Sequence, residues 1–435
     1  MAVAFTETTL DNGLVVIVHE THRVPLVAVN VWYHVGSKNE TRGLTGLAHL
    51  FEHLMFEGAA HQPSGYFEPL QKAGGSVNGS TNPDRTNYWE TVPANAVHLA
   101  LWMEADRMGW MAPALTEARF DTQRAVVVNE RRQSYENRPY GRAPFVVLDA
   151  LFPDGHPYGW PTIGRLADLE RVTLEDARQF LARFYHPANA SLVVAGDVRA
   201  ARILPMVEDL FGGIPAGPAA PAVLAADLEA RGHRLWLEDR VELARLYLAW
   251  PTPAIFTEGD AELDLAADLL ANGRTSRLYR RLIHDRRVAT EVAASQVSRQ
   301  LAGSFQVVVT AAPGTSLEAL RAAVAEEVMR LADTGPTEDE LARGRAQAEA
   351  AFVYRVQSLG GFGGLADQLN GYYFNKGAPD WFDADLARYL EVTADALQSA
   401  AARWLDPARA ALVSVVPRGA SELAVPGSVR ARDDR

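Results

Sequence analysis

Pro187-Ala188-Asn189-Ala190-Ser191-Leu192-Val193 returns as Pro407-Ala408-Arg409-Ala410-Ala411-Leu412-Val413, an offset of 220 residues. In each copy a proline precedes a short apolar run suited to a buried strand. Self-similarity at a fixed offset marks a duplicated unit. The chain therefore reads as two divergent halves. Near this offset Ala249-Trp250 falls roughly opposite Val31-Trp32, and Asp264-Leu265-Ala266-Ala267-Asp268 falls about where the first half has His49-Leu50-Phe51-Glu52-His53. Between the halves runs Phe211-Gly212-Gly213-Ile214-Pro215-Ala216-Gly217-Pro218-Ala219-Ala220-Pro221, rich in Gly, Pro and Ala and without periodicity. We expect domains at 1–211 and 231–435, joined by a linker at 212–230.

Apolar periodicity predicts strands at 8–18, 26–34, 76–80, 86–92 and 191–196 in the first half, and helices at 44–57, 64–73, 94–110, 116–136 and 174–185. The second half reads similarly, with strands near 233–238, 244–250, 290–298 and 305–311. Its helices fall near 259–271, 276–284, 316–333 and 337–357. The expected fold class is α+β: two related domains of mixed or antiparallel sheet with helices packed on it, joined by the Gly/Pro linker. Gly360-Gly361-Phe362-Gly363-Gly364 lacks the Gly-Lys-Ser/Thr ending of a phosphate loop and reads as a break between helices. The charged tail, 418–435, is expected to fray.

At 435 residues the chain exceeds a single core of about 250–300 residues. A hydrophobic share of 48% can fill two cores. No apolar run approaches the roughly 18 residues of a membrane helix. The first residues, Met1-Ala2-Val3-Ala4-Phe5-Thr6-Glu7, lack a basic or long apolar leader. A cytoplasmic protein is expected, or a periplasmic one if a signal peptide has been removed. Without Cys there are no disulfides and no thiolate ligands. The net charge of −12 argues against nucleic acid as the main partner.

The chemistry sits in His49-Leu50-Phe51-Glu52-His53. Pro and β-branched residues are absent between Gly46 and Gly58, so this stretch reads as helix, with Gly58 suited to its C-terminal end. Residues four apart stand one above the other on a helix. Both imidazoles can therefore reach one ion, and Glu52 stands at the edge of their face. Leu47, Leu50, Phe51, Leu54 and Met55 make most of this helix apolar. Two buried His and a buried Glu then need partners, and a metal satisfies them together. Imidazole suits zinc, and a catalytic zinc takes a third protein ligand while keeping a position open. Glu130 is the leading candidate, after the apolar run Ala125-Val126-Val127-Val128. Glu90, Glu104 and Glu136 are rivals that spacing alone leaves open.

H-x-x-E-H followed some 76 residues later by Glu resembles the pitrilysin family of inverzincin zinc metallopeptidases. More of the chain agrees. Leu10-Asp11-Asn12-Gly13-Leu14-Val15-Val16 is similar to the family's first hairpin. Gly74-Gly75-Ser76-Val77-Asn78-Gly79-Ser80-Thr81, with Asp84, Thr86 and Tyr88, is similar to its substrate-binding edge strand. His156-Pro157-Tyr158-Gly159, Ile163-Gly164, Tyr185-His186-Pro187-Ala188-Asn189-Ala190 and Gly196-Asp197 also fit. The length resembles the branch of the mitochondrial processing peptidase. The resemblance implies one zinc ion, Zn2+, bound by His49, His53 and Glu130. It implies Glu52 as the base acting on a zinc-bound water. It implies an extended peptide, or an unfolded protein segment, lying along Ser76, Val77, Asn78, Gly79 and Ser80.

Two departures stand out. The family often has a supporting Glu seven residues before the ligand Glu, where this chain has Gln123, an amide without charge. In the family a motif similar to Ser276-Arg277-Leu278-Tyr279 leads to an Arg and then a Tyr aimed at substrate. Those places hold Ile283 and Thr290 here, and Arg281, Arg286 and Arg287 have no Tyr seven residues on. The resemblance therefore implies a heterodimer with a homologous metal-free subunit that supplies the Arg and Tyr, with a homodimer open to the chain when alone. The competing expectation is a non-catalytic core or scaffold subunit of the same fold, as in respiratory complexes. A third is a module that binds extended peptides without cleaving them.

Overall fold

The computed structural model describes residues 3–226 and 228–432. Met1, Ala2, Asp227 and 433–435 lie outside, and with them parts of the N-terminal stretch, the expected linker and the tail. Two six-stranded sheets organise the chain. The first contains β1 (Thr6–Thr9), β2 (Val15–Glu20), β3 (Leu26–Tyr33), β4 (Ser76–Thr81), β5 (Thr86–Pro93) and β6 (Ala190–Gly196). The second contains β7 (Arg234–Asp239), β8 (Arg245–Thr252), β9 (Ala289–Val297), β10 (Gly303–Ala311), β11 (Ala411–Pro417) and β12 (Val429–Arg430). The spatial orders are β1-β2-β6-β3-β5-β4 and β12-β7-β11-β8-β10-β9.

The repeat is visible in this topology. β2-β6-β3-β5-β4 and β7-β11-β8-β10-β9 share one pattern, a parallel first pair followed by antiparallel pairs. The duplicated runs are β6 and β11, central in both sheets.

The register corrects the expected alignment of tryptophans. Trp32 pairs with Ser191, whereas Ala411, the counterpart of Ser191, pairs with Ala249. Tyr33, not Trp32, is therefore the counterpart of Trp250. One residue of slip reverses the face. Tyr33 and Trp250 each point into the helix-covered core of their own half.

The expected strand 8–18 is two strands. Asp11-Asn12-Gly13 turns the chain between them, with the Gly13 amide donating to Leu10 O at 2.8 Å and Gly13 at a φ of 89°. The expected helix 276–284 is present, helical over 277–285, with Tyr279–Asp285 wound as a π-helix. Helices Ala143–Leu151, Leu166–Arg171, Ala200–Phe211, Leu365–Lys376, Phe382–Leu390 and Ala394–Trp404 were not foreseen. The tail does not simply fray, because Val429 and Arg430 pair in parallel with Leu235 and Trp236.

Each sheet buries one face under its own helices. Val27, Val29, Val31, Leu192 and Val194 point to the core that holds helix Leu47–Leu54. The opposite faces are covered by exchange. Helix Leu365–Lys376 lays Leu365, Ala366 and Leu369 on Val15, Ile17, Ala28 and Val193 of the first sheet. Helix Ala143–Leu151 lays Val146, Val147 and Ala150 on Tyr247, Ala249 and Val413 of the second. Burial at about 25 cal/mol per Å² of apolar surface makes these exchanged helices a principal clamp between the halves.

Asp84 adds a polar joint. Its carboxylate accepts from Lys38 Nζ at 3.0 Å, Tyr158 OH at 2.5 Å and the Gln300 amide at 3.1 Å. Among the described residues no helix is long and apolar enough to cross a membrane.

Candidate metal centre

The motif helix, Leu47–Leu54, buries Leu47, Ala48, Leu50, Phe51 and Leu54. Phe51 stacks on Phe180 and Tyr185, with centroids 5.7 and 5.1 Å away. This apolar anchoring turns His49, Glu52 and His53 to the opposite side, where all three are half-buried. The helix is shorter than the expected 44–57, and Gly58 lies beyond its end instead of capping it.

Its start is built from a distance. Gly46 takes a left-handed φ of 96°, where an added Cβ would stand 2.6 Å from Leu169. The Glu40 carboxylate accepts from the Gly46 amide at 3.0 Å and the Ala48 amide at 2.8 Å. These are among the amides that a helix start leaves unpaired. Burial pushes Glu40 up to about 8, against the lowering effect of those two amides.

The imidazole centroids of His49 and His53 lie 4.8 Å apart. Glu130 comes from the neighbouring helix, Glu117–Arg131, which Thr116 caps through the Arg119 amide. Its Oε2 stands 3.2 Å from His53 Nε2 and 3.8 Å from His49 Nε2. One ligand atom from each of the three residues falls within 4.8 Å of the others. Gln123 lies two turns before Glu130 on the same helix, is buried, and acts to raise His53.

His49 has the protonation that a metal ligand needs. Burial, and then the neighbouring His53, push His49 down to about 4, so its ring is neutral at ordinary pH. Burial also pushes His53 down, but the hydrogen bond and charge of Glu130 outweigh it and raise the group. The hydrogen bond from His53 is the main reason that Glu130 is lowered. Two imidazoles and a carboxylate converging on one point match the donor set of a hydrolytic zinc. By the chemistry of its donors, the site fits the ion.

The rival carboxylates lie outside this cluster. Glu104 accepts from Arg107 Nη1 at 2.6 Å deep in the first core, and Glu90 lies beside them. Glu136 pairs with Arg131, whose Nε donates to Gly164 O. Among the described residues, only His49, His53 and Glu130 form a metal-sized group.

Glu52 lies beside the cluster. Its Oε2 accepts from Thr81 Oγ1 at 2.7 Å. Burial raises Glu52 above the ordinary carboxylate range, against the lowering effects of Thr81, His53 and Arg85. Thr81 ends β4, the outer strand of the first sheet, which pairs only with β5 among the described residues. Ser76, Val77, Asn78, Gly79 and Ser80 all lie on this strand. A Cβ on Gly79 would meet the Phe56 ring at 3.0 Å, so its bareness lets the strand pack on that ring. The roles of Thr81 and Glu40 were missed in the sequence. Thr81 lay in the quoted strand, but nothing in its spacing linked it to Glu52.

Among the described residues the second half carries no equivalent. Gly259, at a φ of 94°, starts helix Asp260–Ala271 as Gly46 starts the motif helix. Counting from these glycines sets Glu262, Leu265 and Ala266 opposite His49, Glu52 and His53. This corrects the expected match to Asp264–Asp268. Leu265 and Ala266 are buried apolar residues. Ile283 packs on the second core, and Thr290 begins β9 with its hydroxyl 3.5 Å from Thr310 O. Arg281 is held by Glu326 and Glu327.

Residues 15–155 match insulinase (peptidase family M16), and residues 171–348 match the peptidase M16 inactive domain. The zinc protease PqqE of Helicobacter pylori is 30% identical over 368 residues, covering 83% of this chain and 82% of that protein. The crystal structure of a protease from Helicobacter pylori superposes with a TM-score of 0.88 at 25% identity, covering 96% of this chain and all of that one. A chain of complex III2 from Candida albicans shares the fold, with a TM-score of 0.81 at 13% identity over 95% of this chain and 96% of that one.

Proposed function

Because the chain belongs to peptidase family M16, we propose that it is the metal-bearing subunit of a zinc-dependent endopeptidase acting on peptides and unfolded segments. The observation that carries this reading is the convergence of His49, His53 and Glu130 within 4.8 Å, with the Glu52 carboxylate alongside. We take these three as the zinc ligands, Glu52 as the general base and Gln123 as support for His53.

Zinc bound there would supply a Lewis acid that acidifies water and polarises a carbonyl. Glu52 takes the proton from the attacking water and delivers it to the leaving amine. Its raised affinity for a proton brings it nearer the working pH of a base. The free edge of β4 accepts an extended peptide by strand addition, which uses backbone hydrogen bonds and tolerates varied side chains. A folded protein offers no free strand to this edge, so unstructured substrates are favoured.

We infer a division into domains at 1–211 and 231–435; among the described residues only the first carries the donor set. The empty Arg and Tyr positions support a companion chain that completes the site. The fold likeness to complex III2 raises the scaffold reading, but Glu52 and its neighbours would have no use in a scaffold.

The test is cleavage of an unstructured peptide by the purified protein with any companion chain. Chelation should abolish cleavage, and added zinc should restore it. Cleavage that survives full metal removal would show that the chemistry lies elsewhere.

A further inference from the structure

We propose that Thr81 is the positioning residue for the Glu52 carboxylate, joining the peptide-docking strand and the base into one unit; this rests on the peptidase reading above. Thr81 is the last residue of β4, and its Cα partner is Thr86 on β5. Its hydroxyl donates to Glu52 Oε2 at 2.7 Å. The nearest alternative acceptor, Thr86 Oγ1, is 3.5 Å away. Thr86 is fully buried, and its own hydroxyl donates to Val35 O at 2.9 Å. Thr86 therefore makes no competing claim on Glu52. Arg85 is near Glu52 in charge, but its Nη1 bonds Ser80 O at 2.8 Å and Ser80 Oγ at 2.7 Å.

The geometry has a consequence for catalysis. Glu52 has three rotatable bonds, and the motif helix fixes only its backbone. The bond from Thr81 fixes one carboxylate oxygen and leaves the other to take the proton. That anchor sits on the strand along which the peptide lies. A peptide that pairs with β4 and stiffens its end therefore stiffens the support of the base. Binding energy from remote parts of a substrate can be used in this way to order the reacting groups. The hydroxyl is engaged by Glu52, so its loss should leave binding intact.

The test compares Thr81→Val, which keeps the shape, with Thr81→Ser, which keeps the hydroxyl. Both are measured in the zinc-loaded active assembly on a quenched-fluorescence unstructured peptide. Thr81→Val should lower kcat about 10–100-fold, the scale of a misplaced reacting group, with KM within about threefold of the parent. Thr81→Ser should keep kcat within about threefold of the parent. Zinc per chain should be unchanged in both, as should fluorescence-anisotropy affinity for a non-cleavable form of the peptide. The proposal is overturned if Thr81→Val keeps parental kcat, if both variants lose equally, or if the loss lies in KM, affinity or zinc content. Those outcomes leave the peptidase reading standing. A parent assembly that never cleaves the peptide overturns that reading and this proposal together.

Discussion

Glu52→Gln should hold zinc as the parent does and lose peptide cleavage by about 10²–10⁴-fold, the usual range for a positioned proton-transfer group. The reason is local. Gln keeps the shape of Glu and can still accept from Thr81 through its amide oxygen, so the 2.7 Å contact survives. The amide cannot take a proton from water at ordinary pH. Glu52 is not among the three converging ligands, so zinc should remain. The assay is kcat/KM on an unstructured peptide beside elemental analysis of the same sample. Substantial activity in the zinc-loaded variant would show that another group is the base.

A companion chain should change the rate by orders of magnitude. Peptide hydrolysis develops negative charge on the carbonyl oxygen. Preorganised donors aimed at that charge commonly contribute about 2.7–4 kcal/mol, roughly 10²–10³ in rate. In the family this chain belongs to, we take an Arg and a Tyr to serve that end. Here Ile283 packs on the second core and Thr290 is a short side chain at the start of β9. Arg281, close by, is held by two glutamates of helix Leu317–Thr334. The chain alone should therefore bind zinc and cleave poorly. Titrating in a homologous subunit that lacks H-x-x-E-H but carries the Arg and Tyr should raise cleavage about 10²–10³-fold. Full activity from the single chain, unchanged by such a partner, would point to a donor of its own.

The parts of this molecule legible in its sequence are those set by local pattern. His49 and His53 four apart on an apolar-backed helix fix a shared face, and the structure keeps that face. The repeat was legible because proline and the Leu-Val pair mark the same central strand twice. Registers were less secure. Strands buried on both faces lose the alternation that distinguishes one face from the other. β3 and β8 are such strands, and Trp32 was consequently matched to Trp250 in place of Tyr33. The second-half helix was aligned on its acids, whereas the left-handed Gly46 and Gly259 give the structural match. The turn at Asp11-Asn12-Gly13 lay inside a run read as one strand.

Contacts between distant parts were not legible at all. Helix Ala143–Leu151 is apolar nearly all round, and that does not say which sheet it covers. It covers the second. The caps and anchors of the site, Glu40 on the motif helix and Thr81 on Glu52, depend on loops whose paths no periodicity specifies.

The central claim is that zinc sits between the two helices that carry His49, His53 and Glu130. Anomalous scattering across the zinc absorption edge, from crystals of the zinc-loaded protein, tests it most directly. One peak per chain is expected, about 2.0–2.2 Å from one nitrogen of each imidazole and from a Glu130 oxygen. Zinc found instead at Glu136, at the acids of helix Asp260–Ala271, or nowhere ordered in the chain would contradict it.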